Sequence, residues 1–185
     1  MKKWLVALLM LGFLQGAHSS TLDAAEIEDL RFMVEEEKLA HDVYLTFQRK
    51  YRDRVFPSIR RSEQRHIDAV VGLLDRYGVE NPSKPGVGKF DNQTLQSLYD
   101  SLIARGMKDR IEAIKVGALI EETDLRDLTA AIERSDEWAI DRVYANLRAG
   151  STNHLQAFVN RLQRLGVTYE PTVLSQEEYL RIVGD

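Results

Sequence analysis

Apolar residues recur at helical spacing along four long stretches of this chain, and near the middle of each an acid or a histidine breaks the apolar stripe. The first segment, from about Asp23 to Tyr51, carries Ile27, Leu30, Val34, Ala40, Tyr44 and Phe47, with Glu37 between Val34 and Tyr44. The second follows Pro57 with Ile59, Ile67, Val70, Leu74 and Tyr77, is interrupted by Glu63 and His66, and stops near Gly78. In the third, Ile111, Ile114, Ala118, Leu125, Leu128 and Ile132 surround Glu121. In the fourth, Ile140, Tyr144, Leu147, Leu155, Phe158, Leu162 and Leu165 surround Ser151 and His154, and Gly166 suits the C′ position that ends a helix. No alternating strand pattern competes, so the expected fold class is all-α.

Pro57, Pro82 and Pro85 mark breaks between these segments. The links between the first and second, and the third and fourth, are short, which predicts two antiparallel hairpins. Between the hairpins runs a long connection, Val79 to Gly106, opening with Asn81-Pro-Ser-Lys-Pro-Gly-Val-Gly88 and then carrying a short helix with Leu95, Leu98 and Leu102. That length lets the second hairpin cross over, the connectivity of a ferritin-like antiparallel four-helix bundle. Residues 174–183 add a small terminal helix.

The first twenty residues have a different character. Lys2 and Lys3 precede an apolar run from Trp4 to Leu14, and Ala17 to Ser20 are small or polar. This is the layout of a secretory signal peptide over 1–19, cleaved after Ser19, leaving one domain over 20–185. A bilayer span needs about 20 apolar residues, more than this run holds. The expected location is periplasmic or secreted. Loss of Lys2 and Lys3 takes the formal charge from −4 to −6, which argues against nucleic acid, and against a membrane after cleavage, as partners. The chain has no cysteine, which excludes thiolate catalysis, iron–sulfur clusters and disulfides.

A lone buried carboxylate costs several kcal/mol, so such groups persist only when paired or bound to metal. Lys38 and Lys115 fall off the central stripes. Glutamate and histidine together suit iron, manganese or zinc. A glutamate three residues before a histidine is common on exposed helix faces. The signal lies in four helices agreeing in period and in depth. A metal-free polar core that fixes helix register is the alternative.

The stretches Glu35-Glu-Glu-Lys-Leu-Ala-His-Asp-Val-Tyr44, Ser62-Glu-Gln-Arg-His66, Gly117-Ala-Leu-Ile-Glu-Glu-Thr-Asp124 and Gly150-Ser-Thr-Asn-His-Leu155 resemble a ferritin-like family known as domain of unknown function 2202, related to rubrerythrins and bacterioferritins. Such di-iron sites take one Glu from each of two helices and Glu-x-x-His from each of the others. The resemblance implies metal ligation by Glu37, Glu63, His66, Glu121 and His154. Glu37 is preferred to Glu36 because it precedes Tyr44 by seven residues, and Glu121 to Glu122 because it continues the Ile114–Ala118–Leu125 face. Ser151 stands where the last carboxylate belongs. Asp124, one turn after Glu121, either supplies the missing oxygen or orients a histidine. His41 is a further donor in principle, with a structural role favoured.

The resemblance therefore implies an exported di-iron carboxylate oxidoreductase, holding two iron ions (manganese or zinc as alternatives) and reacting with dioxygen or hydrogen peroxide. Reducing electrons must come from an external donor, because a rubredoxin-type domain needs cysteines. Non-catalytic metal storage or buffering is a second reading, and homodimer formation an open expectation. Gly86-Val-Gly-Lys89 fails the phosphate-loop pattern, since Ser83 and Phe90 occupy its flanking positions.

Overall fold

Asp23 starts the first helix: its side chain accepts the backbone N–H of Glu26 at 2.8 Å, and Glu26 returns the bond to the N–H of Asp23 at 3.1 Å. Such a capping box satisfies two otherwise orphaned donors and is worth about 1 kcal/mol. The computed structural model describes residues 21–184; the signal peptide expected over 1–19 lies outside them. The described residues form six helices and no strand: α1 (Ala24–Tyr51), α2 (Val55–Tyr77), α3 (Gln93–Gly106), α4 (Arg110–Arg134), α5 (Trp138–Gln163) and α6 (Gln176–Val183).

α2 begins three residues earlier than the sequence suggests, with Pro57 inside its first turn. Proline is tolerated there because the first N–H groups of a helix have no intrahelical acceptor. Asp53 accepts the N–H of Val55 at 3.2 Å and so takes over the capping that Arg54 lacks.

Contacts between the long helices fix their directions. Arg60 of α2 donates to Gln48 of α1 at 3.1 Å, while Arg31 near the start of α1 donates to the carbonyl of Glu80 just beyond α2 at 3.4 Å. The two helices are thus antiparallel. Asp29 pairs with Arg134 and Tyr44 with Glu121, which makes α1 and α4 antiparallel as well. Asp53–Arg161 and Glu63–His154 do the same for the α2 and α5 side. The result is a helical bundle in which each neighbouring pair of long helices runs in opposite directions.

Two of the many glutamates tie the connections down. Glu35 accepts the N–H groups of Asp91 and Asn92 at 2.6 and 2.9 Å, seating α3 against α1. Glu122 accepts the N–H groups of Thr172, Val173 and Leu174 together with the hydroxyl of Tyr169, holding the strap that leads to α6.

Asp53 supplies a stability prediction. Burial alone would raise its carboxyl, but the Arg161 guanidinium, at 2.8–3.1 Å, and the N–H of Val55 outweigh that and hold it below the usual range. Asp53→Asn leaves Arg161 without its partner and is expected to cost about 3 kcal/mol at neutral pH, lowering Tm by roughly 5–10 °C. A carboxyl with a depressed folded pKa stabilises above its unfolded value and loses that contribution as pH falls through the folded value. The gap between wild type and variant should therefore close in acid, which thermal melts across a pH series will show.

Candidate metal centre

The core is two apolar clusters with a polar layer between them. Leu30, Val34, Val70, Leu128 and Leu147 belong to one cluster, and Ala40, Tyr44, Ile59, Ala118 and Phe158 to the other. Glu37, Glu63, His66, Glu121 and His154 fall between them because each lies a helical turn or so from apolar neighbours on both sides. The three glutamates are fully buried, and the histidines retain only 8–9% of their exposure.

These five residues converge as two groups of three that share Glu63: Glu37–Glu63–His66 and Glu63–Glu121–His154, the potential ligand atoms of each lying within 4.8 Å of one another. Oε2 of Glu63 is 2.8 Å from Nδ1 of His66, and Oε1 is 2.9 Å from Nδ1 of His154. Nδ1 of His66 also lies 3.1 Å from Oε2 of Glu37, and Nδ1 of His154 lies 3.4 Å from Oε2 of Glu121. Each ring nitrogen thus faces two carboxylates but carries at most one hydrogen. The His66 bond goes to Glu37, and neither oxygen of Glu63 makes a directed hydrogen bond despite the short approach. Oε1 of Glu37 and Oε2 of Glu121 are also unpartnered. Buried acceptors left without donors in this number are rare in folded proteins. A cation would satisfy them, so the donor set fits bound metal.

The electrostatics describe the same strain. Burial pushes Glu37 up to about 7, Glu63 and Glu121 add to the rise, and His66 opposes it. Burial would raise Glu63 too, but the contacts to His154 and His66 carry it down to about 2. Burial disfavours the charged histidines, yet Glu37 and Glu63 raise His66 to about 10, and Glu121 and Glu63 raise His154 to about 10. Protons on two histidines hold the three carboxylates together when no metal does.

Asp124 is buried one turn beyond Glu121 but is in neither group of three, and both its oxygens lack hydrogen bonds. Burial raises its carboxyl well above the usual range, with Glu36 the next largest cause. Glu36, the neighbour of Glu37 in sequence, is buried as well. Ser151 is buried on the layer with an unpartnered hydroxyl. His41 is outside it, 3.0 Å from Asp42 and 3.2 Å from Arg60 at the α1–α2 seam. The hydroxyl of Tyr44 donates to Oε1 of Glu121 at 2.6 Å and so orients that carboxylate, whereas Tyr144 is buried with a free hydroxyl. Gly150 makes room for His66: a Cβ there would sit 2.6 Å from the ring Nε2.

A family model described as an uncharacterized protein domain, DUF2202, matches residues 26–185. The chain is 42% identical over 176 residues to uncharacterized protein MJ0754 of Methanocaldococcus jannaschii, an alignment covering 95% of each. The crystal structure of hypothetical protein MJ0754 from Methanococcus jannaschii superposes with a TM-score of 0.87 at 43% identity, covering 89% of this chain and 94% of that one.

Proposed function

The chain belongs to the DUF2202 family, and from that premise we propose that it is a ferritin-like, exported two-metal protein, with iron the metal and an oxidoreductase reaction with dioxygen or hydrogen peroxide its activity. One observation carries the reading: the two oxygens of Glu63 each approach the Nδ1 of a different histidine, and each histidine has a further glutamate at its side. Glu37, Glu63 and His66 would hold one metal and Glu63, Glu121 and His154 the other, with Glu63 common to both sets. Carboxylates stabilise the ferric state while imidazole nitrogens retain affinity for the ferrous state, so bound iron would supply reversible one-electron chemistry at each position.

The protein's own groups prepare the site. Tyr44 fixes the rotamer of Glu121, and Gly150 lets the His66 ring lie against α5. Ser151 stands where the resemblance expects a further carboxylate, and its small buried side chain, with an unpartnered hydroxyl, adds no charge to the layer. Electrons for repeated turnover come from a separate donor.

Loading metal-free protein with Fe(II) under anaerobic conditions, then adding oxygen or peroxide, tests the proposal. Two irons per chain and the appearance of ferric absorption with consumption of oxidant are the expected results. Two irons held without oxidant consumption would support the storage or buffering reading, which the near-complete burial of all five residues favours. No bound metal would end both.

The Ser151 position can be probed directly. Ser151→Glu adds a fourth carboxylate to the layer and is expected to tighten metal binding by about tenfold, while destabilising the metal-free protein by several kcal/mol because another buried acid lacks a partner. Titration calorimetry and thermal melts of both forms will read the two effects separately.

A further inference from the structure

Leu39 of α1, Leu98 and Leu102 of α3, and Leu119 and Ile120 of α4 wall a cavity of about 240 Å³ that ends on Glu36 and Asp124. Both acids are buried, at 2% and 1% exposure. Both oxygens of Asp124 and Oε2 of Glu36 have no hydrogen-bond partner. Neither residue belongs to the two groups of three, so the proposed metal centre leaves these three oxygens unexplained. Arg126, at the rim, already gives its guanidinium to Asp127 at 2.7 and 2.9 Å. The cavity therefore has an acidic end and an aliphatic body.

Three kinds of occupant compete. Water could reach the three oxygens and the Thr123 hydroxyl that also lines the cavity, but it brings no charge to offset two buried acids and leaves five aliphatic side chains without an apolar partner. A hard metal ion needs about six oxygens, and among the described residues no third ligating side chain joins Glu36 and Asp124 within ligand distance. A primary ammonium brings three N–H donors and one positive charge, matching three unpartnered oxygens on two acids. An apolar group behind it would fill the space among the leucines.

We infer that this cavity is a binding site for a primary amine with a short apolar body, its ammonium on Glu36 and Asp124 and its hydrocarbon against Leu39, Leu98 and Leu102. Neither acid is in the two groups of three, and the site is testable without metal.

The experiment is calorimetric titration of metal-free protein with n-pentylamine and, in parallel, 1-pentanol. The amine should bind one per chain and at least tenfold more tightly than the alcohol. Asp124→Asn should weaken the amine by at least tenfold. Leu98→Trp, placed at the partly exposed wall, should exclude both ligands. Circular dichroism checks each variant's fold; should Asp124→Asn not fold, the amine–alcohol contrast and Leu98→Trp decide. Equal binding of alcohol and amine, absence of amine binding, or amine binding untouched by Leu98→Trp would each overturn the inference. Amine binding kept in full by a folded Asp124→Asn would place the amine elsewhere and overturn it equally.

Discussion

Glu63→Gln is expected to remove both metals from the protein in a single substitution while leaving its helix content intact. The side chain keeps its size, so the apolar clusters above and below the layer stay packed. It loses the charge that both groups of three depend on, because each Glu63 oxygen serves a different histidine. An amide nitrogen in place of one oxygen is no ligand, and the remaining oxygen is a weak one. Disturbing residues that merely support metal ligands already costs 10–100-fold in affinity, so removal of the shared ligand should cost roughly 100-fold or more at both positions. Glu37→Gln and Glu121→Gln provide the contrast, since each touches one group only and should lower the count by one metal. Elemental analysis and native mass spectrometry give the counts, and circular dichroism the helicity. A Glu63→Gln protein that kept two metals would refute the shared arrangement. One that kept a single metal would assign Glu63 to one position and not both.

The polar layer was legible in the sequence because a helix is periodic. Glu37, Glu63, His66, Glu121 and His154 each stand at stripe positions with apolar residues on both sides, so their arrival in one layer follows from spacing alone. What spacing cannot resolve is the choice among consecutive acids. Glu35, Glu36 and Glu37 step round α1 by about 100° each, and all three are buried, for three different reasons. Glu35 binds the loop before α3, Glu36 faces the leucine-walled cavity, and Glu37 meets His66. Two of those roles depend on α3 and its connection, which approach from residues some sixty positions away and leave no mark in the local pattern. Glu122 is the same case, buried against a strap near the C-terminus. Asp124 shares a stripe with Glu121, which is why spacing offers it as a sixth ligand; it is outside the two groups of three and lines the cavity with Glu36. The start of α2 was misjudged for a different reason. Proline signals a break in general, yet the first turn of a helix is the one place where its missing N–H costs nothing.

Metal loading of the protein is expected to release close to two protons near neutral pH and to weaken by about 100-fold for each pH unit of acidification. In the metal-free protein both histidines hold their protons to about pH 10, because Glu37, Glu63 and Glu121 outweigh the effect of burial. A metal at either position takes the same Nδ1 atom that carries the proton toward the carboxylates, so each ligation event displaces one proton. Two protons released in a combined equilibrium give two powers of ten per pH unit, a dependence that flattens only above about pH 10, where the histidines are already neutral. Glu37, held near 7, adds a fractional proton below neutrality and steepens the slope there. The metal-free fold has the opposite sign. Histidines whose folded pKa exceeds the unfolded value stabilise it fully below about 6.5, and that contribution is lost as pH rises through about 10. Alkali should thus destabilise the empty protein while favouring the loaded one, and the Tm gain on adding metal should widen steadily from pH 6 to pH 9. Calorimetry in buffers of different ionisation enthalpy counts the protons, and paired melts measure the gap. Loading without proton release would mean that the empty layer holds neutral histidines, and the carboxylates would then need some partner other than His66 and His154 to remain buried.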